Sequence, residues 1–328
     1  MTSLQSFHTF GTEVACEQLF PVYSDQDIFD FLLKNLHPFM ILGGGSNVLF
    51  TSDYKGSVLL NRIKGIEVVD EDHQSLLVSA GSGEVWHNFV MWSVGHELWG
   101  LENLALIPGT VGAAPMQNIG AYGVEQDKVF HSLEAIDLEE GTTRVFYKND
   151  CLFGYRESYF KREGKGKYFI TKVNYLLSKT ARPILNYADV AQKVDPNVTS
   201  PSQIADAVID IRKQKLPDPK KIGNAGSFFK NPVVSMDKFN SLKSTYNTMP
   251  AYESGQAMKL AAGWLIDQCG FKGVKAGNTG TYQNQALVLV NNGGASGSEI
   301  LQFARQIQGA VQQKFDVELE MEVNVIGS

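Results

Sequence analysis

The sequence predicts an α+β fold, and three observations carry that prediction. Amphipathic helical stretches and short β-rich runs are mixed along the whole chain. A hairpin signal, Glu140-Gly141, stands between two such runs. The chain changes character after the helix stop Leu216-Pro217-Asp218-Pro219, which places a domain boundary there. A length of 328 residues suggests about two domains, and three would be unsurprising. Hydrophobic residues make up 43% and charged residues 20%, an ordinary globular composition. No repeat or low-complexity tract interrupts it.

Taken in order, residues 24–36 predict the first helix. Ser24 caps it, Asp27 closes a capping-box pair, and Ile28, Phe31 and Leu32 form its apolar stripe. A short apolar run through Phe39, Met40 and Ile41 comes next. Residues 57–60, 66–69 and 76–80 read as strands. A helix over about 84–94 would bury Val85, Trp86, Phe89 and Val90 and end at Gly95. Residues 133–138 and 143–147 flank the hairpin turn, and 168–176 is a further strand. A helix over about 201–215 starts at Pro201 behind Ser200 and buries Ile204, Val208 and Ile211. The last third predicts a helix over about 256–269 carrying Leu260, Ala261, Trp264 and Leu265, with Gly270 closing it. An apolar strand at 286–290 follows. The final helix sets Ile300, Phe303, Ile307 and Val311 on one face, and a strand over 317–325 ends the chain.

Two glycine-rich segments stand out. Residues 106–123 contain Gly109, Gly112, Gly120 and Gly123, with Pro108 and Pro115, and no charged side chain. Such a segment cannot be an amphipathic helix. Glycines allow positive φ and bring bare backbone N–H groups against a ligand, and successive amides of that kind form an anion-binding nest. An uncharged nest suits a diphosphate in a dry groove; a buried loop with tight turns is the plainer reading. The other segment, residues 42–49, places Gly43, Gly44, Gly45, Ser46 and Asn47 after a short apolar run, the pattern of a strand-to-turn phosphate cradle. Gly81-Ser82-Gly83 lacks the third glycine of a dinucleotide fingerprint, Trp86 standing there instead. Glu102, about twenty residues on, is weak support for a ribose contact, so the segment reads as a turn. No Gly-Lys-Ser/Thr follows either loop, so neither is a P-loop.

Charge and cysteine usage narrow the partners. A net charge of −6 disfavours a nucleic-acid partner. Cys16, Cys151 and Cys269 are far apart, without zinc or redox spacing, and fit a reducing compartment. The six histidines are scattered, so no metal is expected, and none lies in a glycine loop, which excludes a histidyl flavin attached there. The first basic residue is Lys34, so no secretory leader is expected, and no apolar run nears the ~18 residues of a membrane span.

Four further clusters could carry chemistry. In Gly223-Asn224-Ala225-Gly226-Ser227-Phe228-Phe229-Lys230-Asn231-Pro232, small residues expose a hydroxyl in front of two aromatics. Ser227 could be a nucleophile, a proton donor or a turn residue. Phe229 stands where a nucleophile elbow needs its last glycine, so hydrolase chemistry is disfavoured. Arg156, in Gly154-Tyr155-Arg156-Glu157-Ser158, is either a surface ion-pair partner or a fork for a carboxylate. Arg212, Lys213, Lys215, Lys220 and Lys221 are either a solvated helix end or a diphosphate clamp. Alternation puts Glu318, Glu320 and Glu322 on one strand face, which alone reads as a solvent face.

Together, from about Gly43 to Glu322, these motifs resemble the UDP-N-acetylenolpyruvoylglucosamine reductase family, within the para-cresol methylhydroxylase-type FAD proteins. The resemblance implies a two-part FAD-binding module, residues 1–65 with 316–328 and residues 66–216, plus an α+β substrate-binding domain at 217–315. It implies non-covalent FAD, NADPH as co-substrate, and reduction of the enolpyruvyl ether of a UDP-linked sugar in bacterial cell-wall precursor synthesis. It makes Ser227 the proton donor and sets Arg156 and Glu322 at the substrate carboxylate. FAD contacts fall to Gly43, Gly44, Gly45, Ser46, Asn47, Pro108, Gly109, Thr110, Gly112, Ala113, Asn118, Ile119 and Gly120. Substrate contacts fall to Lys215, Asn231, Gln285, Tyr122 and Tyr187, the last in Arg182-Pro183-Ile184-Leu185-Asn186-Tyr187. The expected partners are a sugar nucleotide and NADPH, without nucleic acid or membrane, in a monomer of the bacterial cytoplasm. An oxygen-using flavin oxidase of the same fold would not need Ser227, Arg156 and Glu322 together. A sugar-nucleotide binding protein would carry no flavin.

Overall fold

A computed structural model describes residues 1–327 and divides them into two compact units. Met1–Thr2, Cys16–Gly45 and Lys55–Lys213 form the first; Ser3–Ala15, Ser46–Tyr54 and the chain from Gln214 onward form the second. Among the described residues no helix is long and apolar enough to cross a membrane.

In the first unit, the helix Asp25–Leu32 is held by the expected capping box, with Ser24 and Asp27 satisfying each other's backbone N–H groups. It buries Ile28 and Phe31 and stops earlier than expected, Asn35 taking φ +49°. The strand Phe39–Leu42 pairs in parallel with Tyr54–Asn61, which lies beside Ala15–Val22. The glycine cradle therefore begins at a strand end.

A five-stranded antiparallel sheet completes this unit, in the order Thr143–Tyr147, Phe130–Asp137, Tyr168–Ser178, Ser75–Gly81, Ile66–Glu71. Gly141, at φ +67°, turns the predicted hairpin. Trp86, Phe89 and Tyr175 meet ring to ring in the core, joined by Ile204, Val208 and Ile211 from the helix Pro201–Lys215. The helix Trp86–Gly95 begins two residues later than expected, and Val85 is 43% exposed rather than buried. Val85 is the N-cap, still extended, and bridges Thr110.

The second unit has an antiparallel sheet in the order Gly223–Ser227, Gln285–Asn291, Thr279–Tyr282, Lys275–Ala276. Its long helix Gly297–Phe315 has a Ser296–Glu299 capping box and buries Ile300, Phe303, Ile307 and Val311, as predicted. Two expectations fail in this unit. The start of the expected 256–269 helix is a strand, Ala257–Leu260, paired on both sides, and the helix is only Ala262–Gln268. The terminal strand is only Asn324–Ile326, parallel to Val48–Phe50.

Candidate active site

The two glycine loops approach each other closely in the first unit. A Cβ on Gly44 would lie 3.0 Å from Gly109 Cα, and one on Gly43 only 2.6 Å from Thr110 Oγ1. Gly45 and Gly109 take φ +62° and +116°, which side chains resist. Thr110 is 5% exposed, and its Oγ1 has no hydrogen-bond partner among the described residues. A bare backbone cleft edged by an unsatisfied hydroxyl fits a bound polar group such as a diphosphate. Pro108 and Ala113, on the same stretch, are exposed.

The next glycine serves packing. Gly112 N donates to the Ser82 carbonyl at 2.8 Å, and a Cβ on Gly112 would lie 2.5 Å from Ser82 Cβ. Ser82 is fully buried and receives a bond from Asn61. Gly81-Ser82-Gly83 is thus a turn. Glu102 is buried as well. Its carboxylate accepts the Gly100 N–H at 2.6 Å, and burial pushes its pKa up against that bond. Glu102 is spent on its own backbone turn rather than on a ribose.

Asn118 ties the central loop to the Arg156 motif. It sits at φ +45° and is 1% exposed. Its amide donates to Glu125 Oε2 and to the Gly154 carbonyl, each at 3.2 Å, and its oxygen accepts the Asp127 N–H. Ile119 exchanges backbone bonds with Ala114 and Gln126. Arg156 Nη2 donates to the Gly120 carbonyl at 2.5 Å. A Cβ on Gly120 would lie 2.7 Å from Glu125 Cγ, 2.8 Å from the Val124 carbonyl oxygen and 3.1 Å from Arg156 Nη1, so the crowding there requires glycine. Arg156 also lies 5.3 Å from the Tyr155 ring centre. The neighbouring Glu157 pairs with Arg162 at 2.6 Å.

Tyr122 and Tyr187, distant in sequence, meet edge to face at 5.2 Å. The Tyr122 phenol bonds Arg212, whose guanidinium burial lowers below its ordinary pKa while Tyr122 opposes the shift. Arg212 Nε also donates to the Leu106 carbonyl at 3.2 Å. Burial, then the charges of Lys213 and Arg212, hold His87 below its usual range, and its Nδ1 accepts the Leu106 N–H. The backbone at Leu106, where the central loop opens, is thus gripped by two side chains. In the sequence Arg212 belongs to a cluster that reads as a solvated helix end or a diphosphate clamp, and His87 has no role; neither has a signal of its own.

In the second unit the Glu322 backbone pairs with Phe228, the residue next to Ser227. Ser227 is exposed at the end of its strand, while Phe228 and Phe229 behind it are 0% and 1% exposed. Lys230 N donates to the Glu320 carbonyl, Phe229 bridges Met321, and Glu322 N donates to the Phe228 carbonyl at 2.8 Å. The Glu322 carbonyl accepts Asn47 Nδ2 at 3.2 Å. Glu318 and Glu320 are exposed, but Glu322 is half-buried, so the three acids do not share one solvent face. Asn231 Oδ1 accepts the Ala262 N–H at 2.9 Å, at the start of a helix. Gln285 Oε1 accepts the Leu287 N–H, and a Cβ on Gly263 would lie 2.8 Å from it. Lys215 is half-buried at the end of its helix. Ser46 belongs to this unit with Asn47.

Comparison with known proteins gives consistent matches over both regions. A family model described as the UDP-N-acetylenolpyruvoylglucosamine reductase C-terminal domain matches residues 218–326, and one described as an FAD binding domain matches 26–147. A UDP-N-acetylenolpyruvoylglucosamine reductase of Burkholderia ambifaria is 52% identical over 291 residues, 87% of this chain and 83% of that one. The reductase of Burkholderia orbicola is 52% identical over 297 residues, 88% and 84% of the two chains. The crystal structure of the corresponding enzyme from Thermus caldophilus aligns with a TM-score of 0.67 over 98% of this chain and 96% of that one. At 24% identity, that likeness speaks for the fold.

Proposed function

The chain belongs to the UDP-N-acetylenolpyruvoylglucosamine reductase family, and from that premise we propose how its residues divide the work. It is an oxidoreductase that uses FAD and NADPH to reduce the enolpyruvyl ether of UDP-N-acetylglucosamine enolpyruvate to UDP-N-acetylmuramate, a peptidoglycan precursor. When bound, FAD supplies the hydride that reaches the terminal carbon of the enolpyruvyl group. The approach of Gly44 to Gly109 and the Thr110 hydroxyl, without a partner among the described residues, support a flavin seat. We assign Gly43–Gly45, Ser46, Asn47, Pro108, Gly109, Thr110, Gly112, Ala113, Asn118, Ile119 and Gly120 to it.

The observation that supports the catalytic assignment is the backbone bond from Glu322 to Phe228, which pairs the half-buried residue Glu322 with the residue next to Ser227. In this reading Ser227 protonates the substrate carbon next to the carboxylate. An unperturbed serine is a weak acid, but an enolate-like carbon is a far stronger base, so the transfer runs downhill. Arg156 holds the carboxylate on which charge develops, as a cation already oriented by the Gly120 carbonyl, and Glu322 holds it through its own proton or through water. Tyr122, Tyr187, Lys215, Asn231 and Gln285 hold the sugar nucleotide. Asn231 and Gln285 each bond a neighbouring backbone N–H, which fixes their rotamers.

The three-part division, 1–65 with 316–328, 66–216 and 217–315, remains our proposal, supported by the parallel pairing of Asn324–Ile326 with Val48–Phe50. So does a monomer in the bacterial cytoplasm, where three free cysteines fit a reducing medium. A turnover assay tests the reading as a whole. Purified protein should be yellow and should sustain NADPH oxidation over many turnovers only when UDP-N-acetylglucosamine enolpyruvate is present. Colourless protein that binds the sugar nucleotide, or NADPH oxidation driven by oxygen alone, would replace it.

A further inference from the structure

Residues 181–186 form no helix or strand and enter no backbone–backbone hydrogen bond among the described residues. Yet this stretch delivers Tyr187 to Tyr122 with a defined geometry, ring centres 5.2 Å apart at 83°. One buried side chain spans the gap. Asn103 is 1% exposed, and its Nδ2 donates to the Ile184 carbonyl at 2.9 Å and to the Tyr122 carbonyl at 3.2 Å. A single amide thus joins the turn bearing one tyrosine to the segment bearing the other. The Tyr122 backbone is itself unusual, at φ +49° and followed by Gly123 at φ +84°. Ile184, Leu185 and Tyr187 rest on the core only in part.

We propose that Asn103 is a positioning residue for the sugar-nucleotide site: it anchors the Tyr187 segment in register with Tyr122 and thereby sets substrate affinity. Only a side chain with two donor hydrogens on one nitrogen can serve both carbonyls at this depth. Asn103 Oδ1 is buried without a hydrogen-bond partner among the described residues, so the orientation is maintained by the two donated bonds rather than by a fully satisfied amide. The inference rests on the reading of Tyr122 and Tyr187 as substrate contacts, and it adds the residue through which their pairing is held.

The test is a double-mutant cycle on the holoenzyme. Asn103→Ala should raise KM for the sugar nucleotide about tenfold, the scale of one or two lost hydrogen bonds, with kcat changed less than about threefold. Chymotrypsin should also cut faster near Leu185 and Tyr187 in this variant. Because Asn103 acts through Tyr187, adding Asn103→Ala to Tyr187→Ala should raise KM less than about twofold further. Fully additive effects, or an unchanged KM in folded, flavin-loaded Asn103→Ala, would overturn the proposal. Should alanine prevent folding, Asn103→Ser is read by the same criteria. Failure of both variants to fold with flavin makes Asn103 a folding residue and likewise overturns it. A Tyr187→Ala variant with unaltered KM would instead remove the reading beneath it.

Discussion

Arg156 holds a left-handed backbone, φ +55°, which costs a residue with a Cβ on the order of 1 kcal/mol. What offsets it is visible nearby: Nη2 bonds the Gly120 carbonyl, Glu157 exchanges backbone bonds with Gly154, and Asn118 bonds the Gly154 carbonyl. The guanidinium is thus presented in one orientation. Arg156→Lys keeps the charge and loses both the Gly120 contact and the fork. Charge-assisted bonds contribute about 1.5–3 kcal/mol, so turnover should fall more than tenfold while flavin stays bound. Near-normal turnover in the lysine variant would take Arg156 out of the site. The residue type was legible in the sequence as a candidate fork; its support was not. Asn118, Asn103 and Arg212 act through contacts made by chain reversals that no local pattern encodes.

At the scale of elements, the glycine loops were legible as backbone-approach segments because glycines recur along them and no charged side chain interrupts them. Their division of labour was not. Positive φ belongs to Gly45 and Gly109, whereas Gly44 and Gly112 are needed for space. Gly44→Val would push a branched side chain into the Gly109 backbone, so the variant should purify largely without flavin, as read from its absorption near 450 nm in a wild-type comparison. Full occupancy would place the cradle elsewhere. The C-terminal segment shows why an alternating pattern overstated a strand. Residues 317–320 do alternate between buried and exposed. But the chain bonds Phe228 and Lys230 first and then switches to Val48–Phe50, and Glu322 falls at the switch. The strand at Ala257–Leu260 was hidden for a related reason: pairing to Val233–Ser235 and Ala251–Ser254 outweighs a helical spacing.

The segment Ser3–Ala15 offers a separate test through pH. His8 is 5% exposed, Nε2 donates to the Thr12 carbonyl at 3.2 Å, and Nδ1 has no hydrogen-bond partner among the described residues. Burial lowers its folded pKa below 6.5, with the Thr12 bond opposing. An unfolded His8 therefore takes up a proton first as pH falls through about 6.5, and stability is lost below that point until the folded pKa is reached. The slope is at most about 1.4 kcal/mol per pH unit. The melting temperature should drop more between pH 7.5 and 5.5 in the wild type than in His8→Gln. Equal drops would show that His8 is not the group responsible.

For the molecule as a whole, the α+β class and the flavin module were readable from the two glycine loops, the decapeptide around Ser227 and the order of helices and strands. The division of the chain into units that interleave Ser3–Ala15 and Ser46–Tyr54 with the C-terminal part was not, since it depends on pairings across the full length. The central claim is chemical: the complete cycle needs Ser227 in one half only. In Ser227→Ala the hydroxyl is lost and the buried Phe228 and Phe229 remain, so the protein should fold and bind FAD. The decisive measurement follows flavin absorbance without air, first on adding NADPH and then on adding the enolpyruvyl substrate. Bleaching should proceed as in the wild type, and recovery of the yellow colour should slow by about 10²–10⁴ or more, the usual worth of a general acid. Equal slowing of both steps, or slowing of neither, would contradict the assignment of Ser227 as the proton donor.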